Sequence, residues 1–162
     1  MRFEIKVEDA ELLAALRRLI ALWRDATPAM RAIATLGESA TRLRFRSETG
    51  PDGKRWQPSL RAQITGGRTL TERGHLAGSL SSRAGADFAE WGVNRIYAAI
   101  HQFGGVISAK GKALAFSIPG GGFAVVKAVR MPARPFLGIS TDDREDILDI
   151  LQRRIEGTAH AG

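Results

Sequence analysis

The sequence predicts an α+β fold with N-terminal helices, a small and mainly antiparallel sheet with a protruding β-hairpin, and a C-terminal helix. Apolar residues recur at helical spacing before residue 47 and again after residue 140. Between these regions, two runs of β-forming residues flank the tip Pro119-Gly120-Gly121-Gly122, as in a hairpin. The chain has 162 residues, the size of one domain, so residues 1–162 are expected to fold as a single unit.

The N-terminal region, residues 1–47, is predicted to be helical after a short strand-like start. Its first helix places Leu12, Leu13, Leu16, Leu19, Ile20 and Trp23 on one face. A second helix is expected to begin with the Thr27 hydroxyl as N-cap and Pro28 in the first turn. Its apolar stripe is expected at Met30, Ile33, Ala34, Gly37, Ala40 and Leu43. Gly37 either permits a close helix approach or is simply tolerated.

Breaker residues predict where the second helix ends. Pro51-Asp52-Gly53 forms a turn, because proline fixes one dihedral angle and glycine accepts a positive one. Trp56 is expected in the core, with an exposed interface tryptophan as the alternative. Residues 62–73 are rich in glycine, threonine and arginine and are expected to form a mobile loop. The next predicted elements are a short helix over 71–80, a strand over 81–93 interrupted at Gly85, and a helix from Ile96 to Phe103 ended by Gly104.

The C-terminal part is predicted to hold a hairpin arm and a final helix. The arm covers residues 112–130, and the prolines that follow exclude a helix over residues 131–137. Ser140 or Thr141 is expected to cap the last helix, whose first turn is acidic. Its buried stripe is expected at Ile147, Leu148, Ile150, Leu151 and Ile155.

Charge is distributed unevenly along the chain. The formal net charge of +7 favours contact with polyanions or with acidic protein surfaces. Residues 1–140 hold 21 Lys and Arg against 11 Asp and Glu, whereas residues 141–162 hold 3 against 6. The last helix is therefore expected either to pair with the basic surface of its own chain or to leave that surface for an anionic partner.

Several classes of chemistry are excluded by composition. The absence of cysteine removes disulfides, thiolate zinc sites and cysteine nucleophiles. His75, His101 and His160 lack the spacing of metal ligands, and no nucleophile elbow or phosphate-binding loop is found. No enzyme activity, cofactor or metal is therefore expected. No apolar run approaches the roughly 20 residues of a membrane-spanning helix, so a cytoplasmic protein without membrane contact is expected.

Four segments, taken together and in order, resemble the landmarks of a known family. They are Phe45–Trp56 with its Pro-Asp-Gly turn, Leu70–Leu76 (LTERGHL), Tyr97–Gly104 (YAAIHQFG) and Pro132–Gly138 (PARPFLG). In these segments the chain is similar to the phage virion morphogenesis family, which includes the tail-completion proteins of contractile-tailed phages resembling Mu. The resemblance implies a structural protein of a tailed phage or prophage that acts in tail completion or head-tail joining. It implies phage tail or neck proteins as partners, assembly in the host cytoplasm, and a final place in the virion tail or neck.

The motif residues supply the candidate subunit-interface or structural sites, which are Trp56, Tyr97, His101, Phe103, Arg134 and Phe136. Arg134 is expected either to pair with an acid of the last helix or to contact a neighbouring subunit. His101 is assigned a structural role at a helix C-terminus. The hairpin arm and the opposite charges of the body and the last helix predict a homo-oligomer, such as a ring.

Nucleic-acid binding is the alternative function. Phosphate contacts would come from Arg42, Arg44, Arg46, Lys54 and Arg55, with Arg61 and Arg68 beyond them. A basic lining along a conduit for DNA would reconcile the two functions. A third hypothesis, a hydrolase that uses His101 with Asp87 or Glu90, has only proximity in the sequence to support it.

Overall fold

The computed structural model describes residues 25–159, of which 157–159 as backbone only, together with Ala14, Arg17 and Ala21. The first predicted helix lies outside the described residues except at those three positions, which are helical. The predicted α+β class is confirmed. The helices are α1 (Thr27–Ser47), α2 (Leu60–Thr65), α3 (His75–Gly78), α4 (Ala98–Phe103) and α5 (Thr141–Ala159). The strands are β1 (Leu80–Ala84), β2 (Ala89–Val93), β3 (Gly105–Ser108), β4 (Leu114–Ser117), β5 (Phe123–Val126) and β6 (Ala128–Met131).

Helix α1 has a different cap from the predicted one. Thr27 is its first residue rather than its N-cap, and the Thr27 N–H donates to Asp25 Oδ1 at 2.9 Å. Pro28 lies in the first turn, where its missing N–H leaves no hydrogen bond unmade. The helix ends at Ser47 because Glu48 adopts a left-handed conformation with φ of 57°.

The buried face of α1 packs on an antiparallel hairpin formed by β1 and β2. Gly37 lies so close to β2 that a Cβ atom would overlap the indole ring of Trp91. The close approach at Gly37 is therefore real, but its partner is a strand residue and not a second helix. Thr41 is fully buried, and its hydroxyl donates to the Gly37 carbonyl at 2.8 Å. Leu43, predicted on the buried stripe, is exposed, because the buried face runs through Ile33, Gly37, Thr41 and Arg44.

Two predictions for the middle of the chain were wrong. The single interrupted strand over 81–93 is the β1–β2 hairpin, in which the Gly85 N–H donates to the Phe88 carbonyl at 2.9 Å. Residues 62–73 are not wholly a loop, because residues 62–65 continue helix α2. The Ser59 hydroxyl caps this helix by accepting from the Ala62 N–H at 3.1 Å.

The main apolar cluster forms where the chain after α1 meets the chain before α5. It consists of Phe45, Trp56, Leu76 and Phe136, and Phe136 is fully buried. The Phe45 ring lies edge-on to the Trp56 ring, with ring centroids 5.7 Å apart. The centroids of the Phe45 and Phe136 rings are 5.2 Å apart. Phe45 and Trp56 belong to the first landmark segment, Leu76 to the second and Phe136 to the fourth. This apolar cluster is therefore built from landmark segments.

Strands β3 to β6 form one interrupted antiparallel ribbon, here called the ribbon. Strand β3 pairs with β6, and β4 pairs with β5. Between the two pairs, the Ala109 N–H donates to the Lys127 carbonyl at 2.9 Å, so the two ladders belong together. The pairing begins at Gly105, which makes the ribbon longer than the arm predicted over residues 112–130.

Helix α5 begins with a reciprocal cap. The Asp143 N–H donates to Ser140 Oγ at 3.1 Å, and the Ser140 N–H donates to Asp143 Oδ2 at 2.8 Å. Of the two caps predicted, Ser140 is thus the one used. The stripe predicted as buried is only partly covered: Ile147, Ile150 and Leu151 are half-buried, whereas Leu148 and Ile155 are exposed.

Candidate assembly surface

The landmark segments are joined by hydrogen bonds that sequence reasoning missed. Gln102 of α4 accepts through Oε1 from the N–H groups of Phe136 and Leu137, both at 3.0 Å. Its Nε2 donates to the Leu137 carbonyl at 2.9 Å. One amide side chain therefore ties YAAIHQFG to PARPFLG. Its position inside a motif is the only sequence signal that points to it.

Two further bonds hold the PARPFLG segment in place. Trp56 Nε1 donates to the Pro135 carbonyl at 2.8 Å. The Arg134 N–H donates to the His101 carbonyl at 2.7 Å. Since a buried tryptophan N–H needs an acceptor, the polar edge of Trp56 fixes the segment while its rings fill the core.

Gly104 shows why the YAAIHQFG segment ends in glycine. Its φ is 69°, and a Cβ atom there would lie 2.7 Å from the Ala133 nitrogen and 2.9 Å from the Met131 carbonyl oxygen. These neighbours are backbone atoms and cannot rotate away. The close packing of α4 against PARPFLG therefore requires glycine at this position.

Arg134 is buried, with 3% of its surface exposed, but it does not pair with an acid of the last helix. Its Nε donates to the Gln57 carbonyl at 2.6 Å and its Nη2 to the Pro58 carbonyl at 3.4 Å. Burial lowers the pKa of Arg134. The intramolecular pairing considered for Arg134 was wrong, because its guanidinium reaches backbone carbonyls of the chain that follows Trp56.

Arg44 makes the ion pair with the last helix instead. It is buried on α1 and pairs with Asp143 at the start of α5. Its Nη1 also donates to the Gly138 carbonyl at 2.8 Å and to the Phe136 carbonyl at 3.3 Å. Arg44 was considered a phosphate contact, and that assignment was wrong because its charge is already neutralised inside the protein.

The other cations considered for phosphate contacts fall into two groups. Arg42 pairs with Glu38 at 2.7 Å, and Lys54 lies 3.4 Å from Asp52. Arg46 and Arg55 are exposed and have no ion pair within the described part of the chain. The five residues therefore do not form one surface of free charges.

His101, Tyr97 and Phe103 lie together on α4 or at its start. The Tyr97 ring stands edge-on to the His101 ring, with centroids 6.1 Å apart. Burial, and then the positive charge of Arg134, lower the pKa of His101. His101 Nδ1 is buried without a hydrogen-bond partner among residues 25–159. Phe103 is 78% exposed, whereas His101 and Gln102 are half-buried, so α4 has one partly covered side and one open side.

The hydrolase hypothesis finds no support in this arrangement. Glu90 on β2 pairs with Arg83 of the neighbouring strand, and Asp87 lies in the β1–β2 connection. The described contacts of the His101 side chain include no carboxylate. A histidine without a carboxylate partner lacks the group that orients a general base.

A groove of about 730 Å³, here called the ribbon groove, lies between α2, α4 and the ribbon. Its lining includes Leu60 of α2, Tyr97 just before α4, His101 of α4, and Phe116 of the ribbon. At the ribbon tip, Gly120 approaches α2 so closely that a Cβ atom would lie 2.9 Å from Ile64 Cγ2. The tip of the ribbon therefore lies against α2, and the groove beside it is open to solvent.

Among the described residues, no three His, Asp or Glu side chains gather closely enough to hold a metal ion. None of the helices described is long and apolar enough to span a membrane.

The phage virion morphogenesis family matches residues 7–156, so the chain belongs to that family, as the motifs predicted, and is a phage assembly protein. It is 33% identical over 150 residues to the Mu-like prophage FluMu G protein 2 of Haemophilus influenzae, covering 92% of this chain and 93% of that protein. It is 30% identical over 161 residues to the putative capsid assembly protein G of Escherichia phage Mu, covering 93% and 92%. No solved structure matches it significantly.

Proposed function

We propose that this protein acts in tail completion or head-tail joining of a tailed phage or prophage, through contacts between protein subunits. The observation that carries the proposal is the outer face of the ribbon. Phe123 and Val125 are each 64% exposed, and the register places them on one face with Ser117 and Ala115. An apolar strand face of this kind is suited to pairing with another protein.

Helix α4 adds a second apolar area. Phe103 is the last residue of the helix and is 78% exposed, and Ile96, two residues before the helix begins, is fully exposed. Both lie close in sequence to Gln102, which anchors the helix to the core segment. A rigid helix that presents apolar side chains is a pre-organised contact, and less conformational entropy is lost when it binds.

The partners are phage tail or neck proteins and further copies of this chain. A ring is the arrangement proposed, because heterologous contacts between identical subunits close when the rotation permits. Assembly takes place in the host cytoplasm, and the protein then belongs to the virion tail or neck. The name of the phage Mu relative refers instead to capsid assembly. Capsid assembly is a different stage, and deleting a gene needed for it would leave a different defect in the particles.

The test is electron microscopy of lysates from the parent phage with this gene deleted. Finished heads beside unattached or aberrant tails, rescued by added purified protein, would support the proposal. Missing or malformed heads would indicate capsid assembly and contradict it, as would normal particles.

Variants then test whether the ribbon face is responsible. The double variant Phe123→Ser/Val125→Ser is expected to lose rescue while its melting temperature stays unchanged. Leu43→Ser, which alters an equally exposed residue of α1, is the matched control and is expected to rescue. Full rescue by the ribbon variant would show that this face is not the contact.

Nucleic-acid binding is retained as a second candidate because Arg46 and Arg55 are exposed and are not neutralised by a described acid. Contacts with phosphates release counterions, so duplex binding would fall steeply as salt rises. The expected result for Arg46→Glu/Arg55→Glu is weaker binding with a smaller salt dependence. Absence of duplex binding by the wild type at low salt would exclude this function.

A further inference from the structure

The ribbon groove is rich in positive charge. Its lining includes Arg61, Arg73, Arg130 and Arg134, against one carboxylate, Glu72. That carboxylate is already used, since its Oε2 lies 3.4 Å from Arg61 Nε. Arg73 and Arg130 are exposed and have no ion-pair partner among residues 25–159. The groove therefore presents several cations that the described part of the chain does not neutralise.

The buried guanidinium of Arg134 strengthens this observation. It donates only to backbone carbonyls, through Nε and Nη2, and its Nη1 makes no hydrogen bond with any described residue. A buried charge is costly unless an opposite charge compensates it. Arg134 therefore adds to the groove lining a positive charge that no described carboxylate compensates, and that a carboxylate of a partner would compensate.

The first turns of α5 have the complementary chemistry. Asp142, Glu145 and Asp146 are exposed and lack ion-pair partners in the part of the chain that the structure describes. Leu148, one turn further along, is 52% exposed. The groove offers matching apolar side chains, because Leu60 and Phe116 are exposed in its lining. The two surfaces thus complement each other in charge and in apolar content.

The α5 surface belongs to a different region of the molecule from the groove. Asp142 and Asp146 line a separate cavity of about 710 Å³ between α1 and the start of α5, and it shares no lining residue with the ribbon groove. Helix α5 is also fixed there by the pair between Asp143 and buried Arg44. A helix held in this way is not free to enter the groove of its own chain.

We infer that the ribbon groove of one subunit binds the acidic first turns of α5 from a second copy of the chain. This contact deepens the proposed function, on which it rests, by naming the two surfaces that join neighbouring subunits. It uses different patches on the two copies, so it is heterologous and generates a ring or an open chain of subunits.

Charge reversal on each surface tests the contact. Sedimentation velocity at low salt is expected to show assemblies of the wild-type protein that dissociate as salt rises, because the charges are exposed. Arg73→Glu/Arg130→Glu and, separately, Asp142→Lys/Glu145→Lys are each expected to weaken association at least about tenfold. Arg46→Glu/Arg55→Glu makes the same change in net charge as the groove variant, but away from the groove, and is expected to assemble normally.

Mixing the two reversed variants is the decisive step. In an alternating assembly, the reversed, negative groove of one variant meets the reversed, positive helix surface of the other. The remaining contacts join a native groove to a native helix surface, so every contact pairs opposite charges. Equimolar mixing is therefore expected to restore assembly that neither variant achieves alone. Failure to restore it with two folded variants, normal assembly of either variant alone, or a monomeric wild type at low salt would overturn the inference.

The proposed function fails or stands separately. Normal particles from the gene deletion would contradict tail completion or joining, whatever the mixing experiment shows. If the wild type and both charge-reversed variants rescue the deletion equally, the function stands and this contact is refuted.

Discussion

Replacing Gln102 with alanine is the sharpest test of how the landmark segments are held together. The side chain satisfies two backbone N–H groups and one carbonyl of the Phe136–Leu137 stretch. Gln102→Ala removes all three bonds and leaves the rest of α4 unchanged. Within this stretch the Phe136 side chain is fully buried, so the backbone has little freedom to move toward water.

The expected cost follows from the groups left without partners. A buried donor or acceptor without a partner costs about 1–3 kcal/mol. Three such groups set an upper range, but Gln102 is only half-buried, and water entering the space it leaves would satisfy part of them. We therefore expect a loss of about 2–4 kcal/mol in the free energy of unfolding. For a chain of this size that corresponds to a fall in melting temperature of roughly 5–15 °C.

Urea unfolding followed by tryptophan fluorescence measures the change, because Trp56 donates to the neighbouring Pro135 carbonyl. The m-value is expected to stay constant, since the surface exposed on unfolding hardly changes. Gln63→Ala is the control: its exposed amide makes one bond, to the Pro58 carbonyl at 3.2 Å, and its loss should cost less than about 0.5 kcal/mol. Equal stability of the two variants would refute the role assigned to Gln102.

Three other predictions concern residues that are buried or half-buried. Gly37→Ala should destabilise the protein by about 1–3 kcal/mol in chemical denaturation, because the new methyl group overlaps the adjacent indole, although alanine favours the helix. Asp143→Ala should lower the free energy of unfolding by about 3–5 kcal/mol, because it leaves Arg44 buried and unpaired. The double variant Asp143→Ala/Arg44→Met should regain part of that loss, and a double-mutant cycle measures the coupling between the two residues. Burial, and then the charge of Arg134, lower the pKa of His101 below its usual 6.5, so the unfolded state binds the proton more readily. The free energy of unfolding should therefore fall as pH drops through 6.5 toward the folded-state pKa, and the same titration of His101→Gln should lack this component.

Features encoded by nearby residues were predictable from the sequence. The Pro-Asp-Gly turn, the stop at Gly104, the glycine-tipped hairpin and the Ser140 cap each depend on residues within a few positions of one another. The landmark segments could be recognised because each is also a short, continuous run of residues. Local dihedral preferences and capping act before any tertiary contact forms, so a sequence shows them directly.

Partners that lie far apart in the sequence were not predictable. Arg44 and Asp143 are 99 positions apart, and nothing near either residue indicates that Arg44, rather than Arg134, makes the pair with the last helix. The α2 helix was missed although Ser59 carried the signal of a cap. The β1–β2 hairpin was missed because Gly85 was interpreted as an interruption, when it lies in the connection between two strands.

In the YAAIHQFG segment, two neighbouring residues differ in what they do: one stabilises the fold, and the other is exposed to solvent. Gln102 fixes the backbone of the PARPFLG segment, whereas the next residue, Phe103, is exposed and makes no part of that anchor. A loss of assembly in Gln102→Ala would therefore be ambiguous, since the same change loosens the helix that presents Phe103. A loss of assembly in Phe103→Ser at unchanged melting temperature has no such explanation. Only residues whose replacement leaves folding intact can identify the contact surface, and in this motif the exposed side of α4 is where they lie.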